Sequence, residues 1–256
     1  KLDGKMELAI PRERLPKEVL QKELSRFEEI GVDVHLNTKV NRKHFDQIYR
    51  ENDIVIVASG AHEARLIKFS GWEDVTPGIE FLKAVNYGES EDFTGKKIVV
   101  IGAGNVGMDI ACQAWNLGAA EVIAVDIQPP ASFGKERELA EAKGTKILWP
   151  KITEKYDAKK KKLHFKDGTS LDADAVIISI GESPVLDFLP AGMDIERGYL
   201  VVSDSGQTSD LKVFAVGDTT RPGLITNAIG QGRVTAEAVH NLMMEFDIVP
   251  EMKQVI

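Results

Sequence analysis

Cysteine is almost missing from this chain: Cys112 is the only one in 256 residues. That excludes a disulfide framework, an iron–sulfur ligand set, a cysteine zinc knuckle and a C-x-x-C redox pair within the chain. Cys112 sits in "MDIACQAW", where it reads as a small packed hydrophobe. Long apolar runs are missing too. None reaches the roughly 18 residues of a membrane span, and no signal peptide is visible, so the expected setting is cytoplasmic with no membrane partner. Positive charge is in deficit: 32 Lys and Arg face 40 Asp and Glu, for a net charge of -8. Nucleic acid is therefore not expected as a partner. The one basic run, Lys159 to Lys162, reads as the solvated tip of a two-stranded hairpin. His35, His44, His62, His164 and His240 are scattered without metal-ligand spacing, so no metal site is expected. An initiator Met is missing as well, and the opening "KLDGKMEL" reads as cut from something longer.

What is present is an alternation of helices and strands. "RLPKEVLQKELSRFEEIG" carries Val19, Leu20, Leu24, Phe27 and Ile30 at helical spacing. "VDVHLNTKV" (32–40) alternates like a strand. "DIVIVASGA" (53–61) is a β-branched run that predicts a strand buried on both faces. From Lys97 the pattern restarts as strand, helix, strand, helix, strand. A two-stranded excursion follows, then a further buried strand ending at Gly181. The chain closes with a long helix whose apolar positions include Ile229, Val234, Ala238, Leu242 and Phe246. Trp72, Trp115 and Trp149 read as packing. Alternation of this kind predicts an α/β fold with a doubly wound parallel sheet.

"VVIGAGNVGMD" (99–109) is the strongest motif. Gly102, Gly104 and Gly107 form G-x-G-x-x-G between a strand and a helix. The first glycine makes the tight turn, the second admits phosphate to the backbone, and the third lets helix pack close on strand. The N–H groups of Asn105 and Val106 then point at a pyrophosphate, with the helix dipole behind them. Asp126 ends the next strand, where a carboxylate accepts from ribose hydroxyls and repels a 2′-phosphate. It favours NAD over NADP. Lys135 and Arg137 follow in "ASFGKERE", either as reach toward a phosphate or as the exposed first turn of the next helix.

"VFAVGDTT" (213–220) ends a strand in Gly217-Asp218. Together with "IPRERLPKEVL" (10–20), "VASGA" (57–61), "VVIGAGNVGMDIA" and "AIGQGRVTAEAV", it resembles the two-dinucleotide-binding-domain flavoproteins, and among them the glutamate synthase small-subunit-like branch. Ser59 stands where that branch usually has Thr. The resemblance implies a Rossmann-like NAD(P)-binding domain (95–182) inserted in an incomplete FAD-binding domain (1–94 and 183–256). It implies that Asp218 meets the flavin ribityl chain, and that the helix starting near Thr226, Asn227 and Ala228 aims its N-terminus at the pyrimidine edge. It also implies that Ser59-Gly60 and Gly181-Glu182 line the domain crossovers. His62 either edges the flavin cleft or lies in a surface loop.

The branch begins its FAD domain with its own glycine-rich loop and carries an iron–sulfur module, and neither is found here. The resemblance therefore implies NAD(P)H and FAD as cofactors, with FAD absent or weak in this chain alone. It implies a partner module, in the same protein or a separate subunit, that supplies the missing parts and takes electrons to iron–sulfur centres. A sheet lacking its first strand further predicts an edge open to a second copy of the chain. Hydride chemistry belongs to the cofactors, so no catalytic side chain is assigned. The alternative is a non-catalytic dinucleotide-binding or docking module. A short-chain dehydrogenase would need Tyr156-x-x-x-Lys160 on a helix, and that pair lies in the charged hairpin.

Overall fold

The structure is a computed structural model that describes Leu2 and residues 4–245; Phe246 lies outside them. In chain order the main elements are α1 (Lys17–Glu29), α2 (Arg42–Glu51), β1 (Val55–Val57), β2 (Thr76–Pro77), α3 (Gly78–Tyr87), β3 (Lys97–Ile101), α4 (Asn105–Asn116), β4 (Glu121–Val125) and α5 (Gly134–Ala142). They continue with β5 (Lys146–Leu148), β6 (Thr153–Asp157), β7 (Lys162–Phe165), β8 (Ser170–Asp172), β9 (Ala175–Ile178), β10 (Val213–Ala215) and α6 (Ile225–Glu245). The chain divides into two compact units, residues 1–37 with 64–181 and residues 38–63 with 182–256.

The first unit is built on a five-stranded sheet in the order β2-β9-β3-β4-β5. Every described pairing in it is parallel, as the expected α/β fold requires. Alternate residues of β3 face opposite sides. Ile98 and Val100 pack with Met108, Ile110, Ala111 and Ala114 of α4. Val99 and Ile101 pack with Tyr156, Leu163 and Phe165 on the other face. Each such side chain contributes about 1.5–3 kcal/mol on leaving water, which makes this two-sided burial the main stabilising term. The excursion after β5 has three antiparallel strands, β6-β7-β8, where two were expected. Ser170–Asp172 is too short and polar to show as a strand, and it forms by pairing with β7. Lys159 to Lys161 occupy the turn.

The compact units divide the chain after residues 37, 63 and 181. Residues 1–37 and 64–94 pack with the nucleotide-type sheet. The reason is a set of polar anchors invisible in a hydrophobicity pattern. Asn86 donates to the carbonyls of Glu7 and Ile10, at 3.3 and 2.9 Å. Gln113 and Asn116 of α4 donate to the Glu13 carboxylate, at 3.1 and 2.8 Å.

The second unit has β1 paired in parallel with β10 over a core of Phe45, Val55, Val57, Leu189, Leu200, Val213 and Ala215. Two expectations fail here and beside it. Residues 32–40 form no strand, and Val32 and Leu36 are exposed. β1 is not buried on both faces, because Ile56 between its two buried valines is 47% exposed.

Candidate functional site

In the first unit the carboxyl ends of β3, β4 and β9 lie side by side, and the expected nucleotide residues collect there. β3 and β9 are neighbours although α4, β4, α5 and the excursion separate them in sequence, so the strand order reverses between them. Ligands of open α/β sheets bind at such a point. Gly102 has φ +108, and a Cβ there would strike the Ser179 carbonyl just past β9. A Cβ at Gly107 would strike the Gly102 carbonyl. Gly104 differs: a Cβ added to it meets nothing within 4 Å. Two glycines thus close the turn, and the middle one leaves open space above it. Gly181, φ +94, completes the rim after β9, and its carbonyl accepts from Arg65 N–H at 3.0 Å.

α4 begins at Asn105 with Gly104 as N-cap and no side-chain cap. The Asn105 side chain turns away from the helix start, its Oδ1 accepting from Phe133 N–H at 2.9 Å. The first-turn amides of Asn105 and Val106, beside the open face of Gly104, suit the oxygens of a pyrophosphate. Asp126 reaches back to the same turn. Its Oδ2 accepts from Ala103 N–H at 2.8 Å and its Oδ1 from Gln128 N–H at 3.2 Å. The acid is therefore locked beside the glycine turn, half-buried. Of the alternative phosphate readers, Arg137 pairs with Glu141 along α5 at 2.9 Å, and Lys135 is exposed.

Sequence reasoning missed an apolar rim around Asp126. Ile127 is 61% exposed and Trp149 45%, so Trp149 is not simply packing. Asp126 N–H donates to Leu148 O at 3.0 Å, and Lys151 N–H to Asp126 O at 2.7 Å, which places this rim beside the acid. The signal available was an apolar residue directly after each strand-end position.

A polar cluster was missed too. Arg14 bonds Asp109 of α4 at 2.6 Å and also Glu136 of α5. Burial, opposed by Arg14, pushes the Asp109 carboxyl up to about 6. Burial likewise pushes the Cys112 thiol up to about 11, so it is inert at neutral pH. Tyr156 is buried on β6, its hydroxyl donating to Ala173 O at 3.2 Å, which removes the short-chain dehydrogenase reading.

In the second unit the carboxyl ends of β1 and β10 bring Ser59-Gly60 next to Gly217-Asp218. Gly60 N–H donates to Thr219 Oγ1 at 3.0 Å. Gly60 and Gly217 both have positive φ, 69 and 69. Asp218 Oδ1 accepts from Gly223 N–H at 3.2 Å. Thr226, Asn227 and Ala228 lie in the first turn of α6, and Asn227 Oδ1 accepts from Leu224 N–H at 2.9 Å, so this side chain braces the turn before the helix. A hollow of about 380 Å³ is lined by Gly217, Asp218, Gly223, Asn227 and Ala228. A second hollow, about 460 Å³, runs along β1 past Ile56, Ser59, Gly60 and His62. Among the described residues no cluster of three or more His, Cys, Asp or Glu is arranged to hold a metal, and no helix is long and apolar enough to cross a membrane.

A strand-turn-helix with an uncapped helix start, closed by an acid on the next strand, defines a Rossmann-like dinucleotide-binding protein. Residues 43–232 match the pyridine nucleotide-disulphide oxidoreductase family, and the chain belongs to it. That family comprises FAD-dependent enzymes that move electrons between NAD(P)H and FAD. The chain is 28% identical over 285 residues to the NADP(+)-dependent formate dehydrogenase subunit beta of Moorella thermoacetica, covering 98% of this chain and 40% of that protein. It is 27% identical over 248 residues to the NAD-dependent dihydropyrimidine dehydrogenase subunit PreT of Escherichia coli K12, covering 94% and 60%. It is 26% identical over 291 residues to the glutamate synthase (NADPH) small chain of Halomonas elongata, covering 93% and 60%. The chain thus spans between 40% and 60% of these relatives. In fold it matches Lactococcus lactis thioredoxin reductase, with a TM-score of 0.74 and 21% identity over 94% of this chain and 88% of that one.

Proposed function

We propose that this chain is the dinucleotide-handling part of an electron-transfer flavoprotein, accepting hydride from NAD(P)H onto FAD for onward transfer to iron–sulfur centres on another module, in the cytoplasm. The observation that carries this is the open Gly104 face at an uncapped α4, with Asp126 locked beside it. When bound, nicotinamide supplies the hydride and flavin takes it. The chain's own residues bind and orient. Asn105 and Val106 N–H groups hold the pyrophosphate. Gly102, Gly107 and Gly181 keep the approach narrow. Asp126 takes the adenosine ribose and disfavours a 2′-phosphate, so NAD is the proposed cofactor. Ile127 and Trp149 offer the apolar surface on which the adjoining adenine rests.

The residues of the second unit fit the ribityl and isoalloxazine end of FAD: Gly217 with positive φ, Asp218 and the α6 start open on one hollow, and Gly60, also with positive φ, lines the other. The bare edge of β1, with exposed Ile56 and a hollow alongside, supports a further strand seated there from a partner module that completes the FAD site. A second copy of the chain is the other candidate for that edge. It is tested by sedimentation: a dimer that dissociates in an Ile56→Lys variant supports it, and a monomer at all concentrations removes it. The same exposed edge keeps a second functional reading open, that of a non-catalytic docking module.

NADH oxidation by ferricyanide, measured on the chain with and without added FAD and the partner module, separates the readings. Flavin-dependent turnover supports the enzyme. Saturable NADH binding without turnover in the complete assembly leaves the docking module. Asp126→Arg should shift the NADH-to-NADPH affinity ratio toward NADPH by about tenfold or more; an unchanged ratio removes the role given to this acid.

A further inference from the structure

The pyrophosphate site has an electrostatic problem that its own elements do not solve. α4, Asn105–Asn116, contains no Lys or Arg, and its one charged side chain is Asp109. Four residues past Asn105, Asp109 stands about 6 Å along the axis from the amides that would take the anion. Glu136 adds a second acid in the first turn of α5. Both acids are shielded from water, with side chains 12% and 16% exposed, so solvent screens them little. A dianionic ligand would meet two carboxylates behind its amides.

The compensating cation comes from far away in sequence. Arg14 lies in the "PRERLP" stretch and bonds both acids at once: Asp109 Oδ2 at 2.6 Å through one guanidinium nitrogen, and Glu136 Oε1 through another. Its neighbour Glu13 is occupied by Gln113 and Asn116, at 3.1 and 2.8 Å, which fixes the segment across α4. The structure assigns Arg14 as the charge-offsetting, positioning residue of the dinucleotide site: its one positive charge is shared by Asp109 and Glu136 and offsets about half of their charge, so that α4 presents a less repulsive field to a pyrophosphate it never touches. This inference rests on the dinucleotide reading above and deepens it.

The groups that face Asp109 are Arg14 and Glu13 from the N-terminal segment and Glu136 from α5; Cys112 lies on its own helix. Lys143, at the far end of α5, donates to Asn116 at 2.9 Å. With Arg14 removed, burial and the two glutamates would drive Asp109 to hold its proton to higher pH. The repulsion then grows as pH rises and Asp109 ionises.

The test measures dissociation constants of ADP and NADH on the purified full chain by calorimetry at pH 6 and pH 8.5. Arg14→Met should weaken both ligands by about tenfold at pH 8.5, and clearly less at pH 6. Wild type, with Asp109 about half ionised at pH 6 and Arg14 beside it, should weaken by less than about threefold between the two. Arg14→Lys should retain most of the affinity. The triple variant Arg14→Met, Asp109→Asn, Glu136→Gln should return to within about threefold of wild type, because it removes the acids that Arg14 offsets. A purely structural staple gives the opposite pattern: a pH-independent loss, no rescue in the triple variant, or unchanged affinity with a lowered melting temperature. Any of these overturns the inference. If wild type binds neither ADP nor NADH, the dinucleotide reading itself fails and takes this inference with it.

Discussion

The two units use the same local device, a parallel strand that ends in a small-residue turn, with different support. In the first, β3 lies third in a five-stranded sheet, with both faces covered by apolar layers. In the second, β1 has β10 on one side and a hollow on the other. α6 follows the same trend, with Ile229 66% exposed and Met244 53%. The lesson is that a nucleotide-binding turn is only as rigid as the sheet behind it. The turn of the first unit is backed by a five-stranded sheet, and that of the second by the β1–β10 pair.

The comparison breaks most sharply at the glycines. Gly102→Ala forces a Cβ into the Ser179 carbonyl from a left-handed backbone, and should destabilise the first unit by on the order of 3–4 kcal/mol and abolish NADH binding. Gly104→Ala has φ -80 and open space, so it should fold within about 1 kcal/mol of wild type and lose only affinity. Thermal melts with NADH titration check both.

Next comes Asp109. Its carboxyl holds a proton up to about pH 6 in the folded chain, against about 4 when unfolded. The folded state therefore binds the extra proton, and this contribution is full below about pH 4 and lost as pH rises through about 6. Asp109→Asn stays neutral throughout. Its stability relative to wild type should rise by on the order of 3 kcal/mol between pH 4 and 8, read from paired denaturant titrations. A pH-independent difference would contradict the burial of this charge.

Hydrogen exchange sharpens the contrast directly. Amides of β1 should exchange about tenfold or more faster than those of β3, because fewer buried contacts oppose local opening. The smallest effect is expected at α6: Ile229→Asp should change the stability of the chain alone by no more than about 0.5 kcal/mol. It should weaken assembly with the partner module, measured by co-purification.

The first unit was legible in sequence because its signals are local and redundant. The β-branched runs 97–101, 121–125 and 175–178, the spacing of Gly102, Gly104 and Gly107, and Asp126 at a strand end each carry the same message. What escaped was non-local. Residues 32–40 alternate like a strand yet take no strand conformation, because alternation alone does not supply a packed sheet face, and Val32 and Leu36 stay exposed. Ser170–Asp172 has weak propensity and pairs because β7 offers an edge. Arg14 carries no local signal of its role, since its partners Asp109 and Glu136 are remote in the chain. Ile56 sits in an apolar run, and its exposure depends on what covers that face of the strand.

Separate calorimetric titrations of the purified chain with NADH and with FAD test the contrast between the two units most directly. The expected result is saturable one-to-one binding of NADH, weakened by Asp126→Ala, with FAD retained substoichiometrically or not at all. Tight stoichiometric flavin, or no binding of NADH, would contradict it.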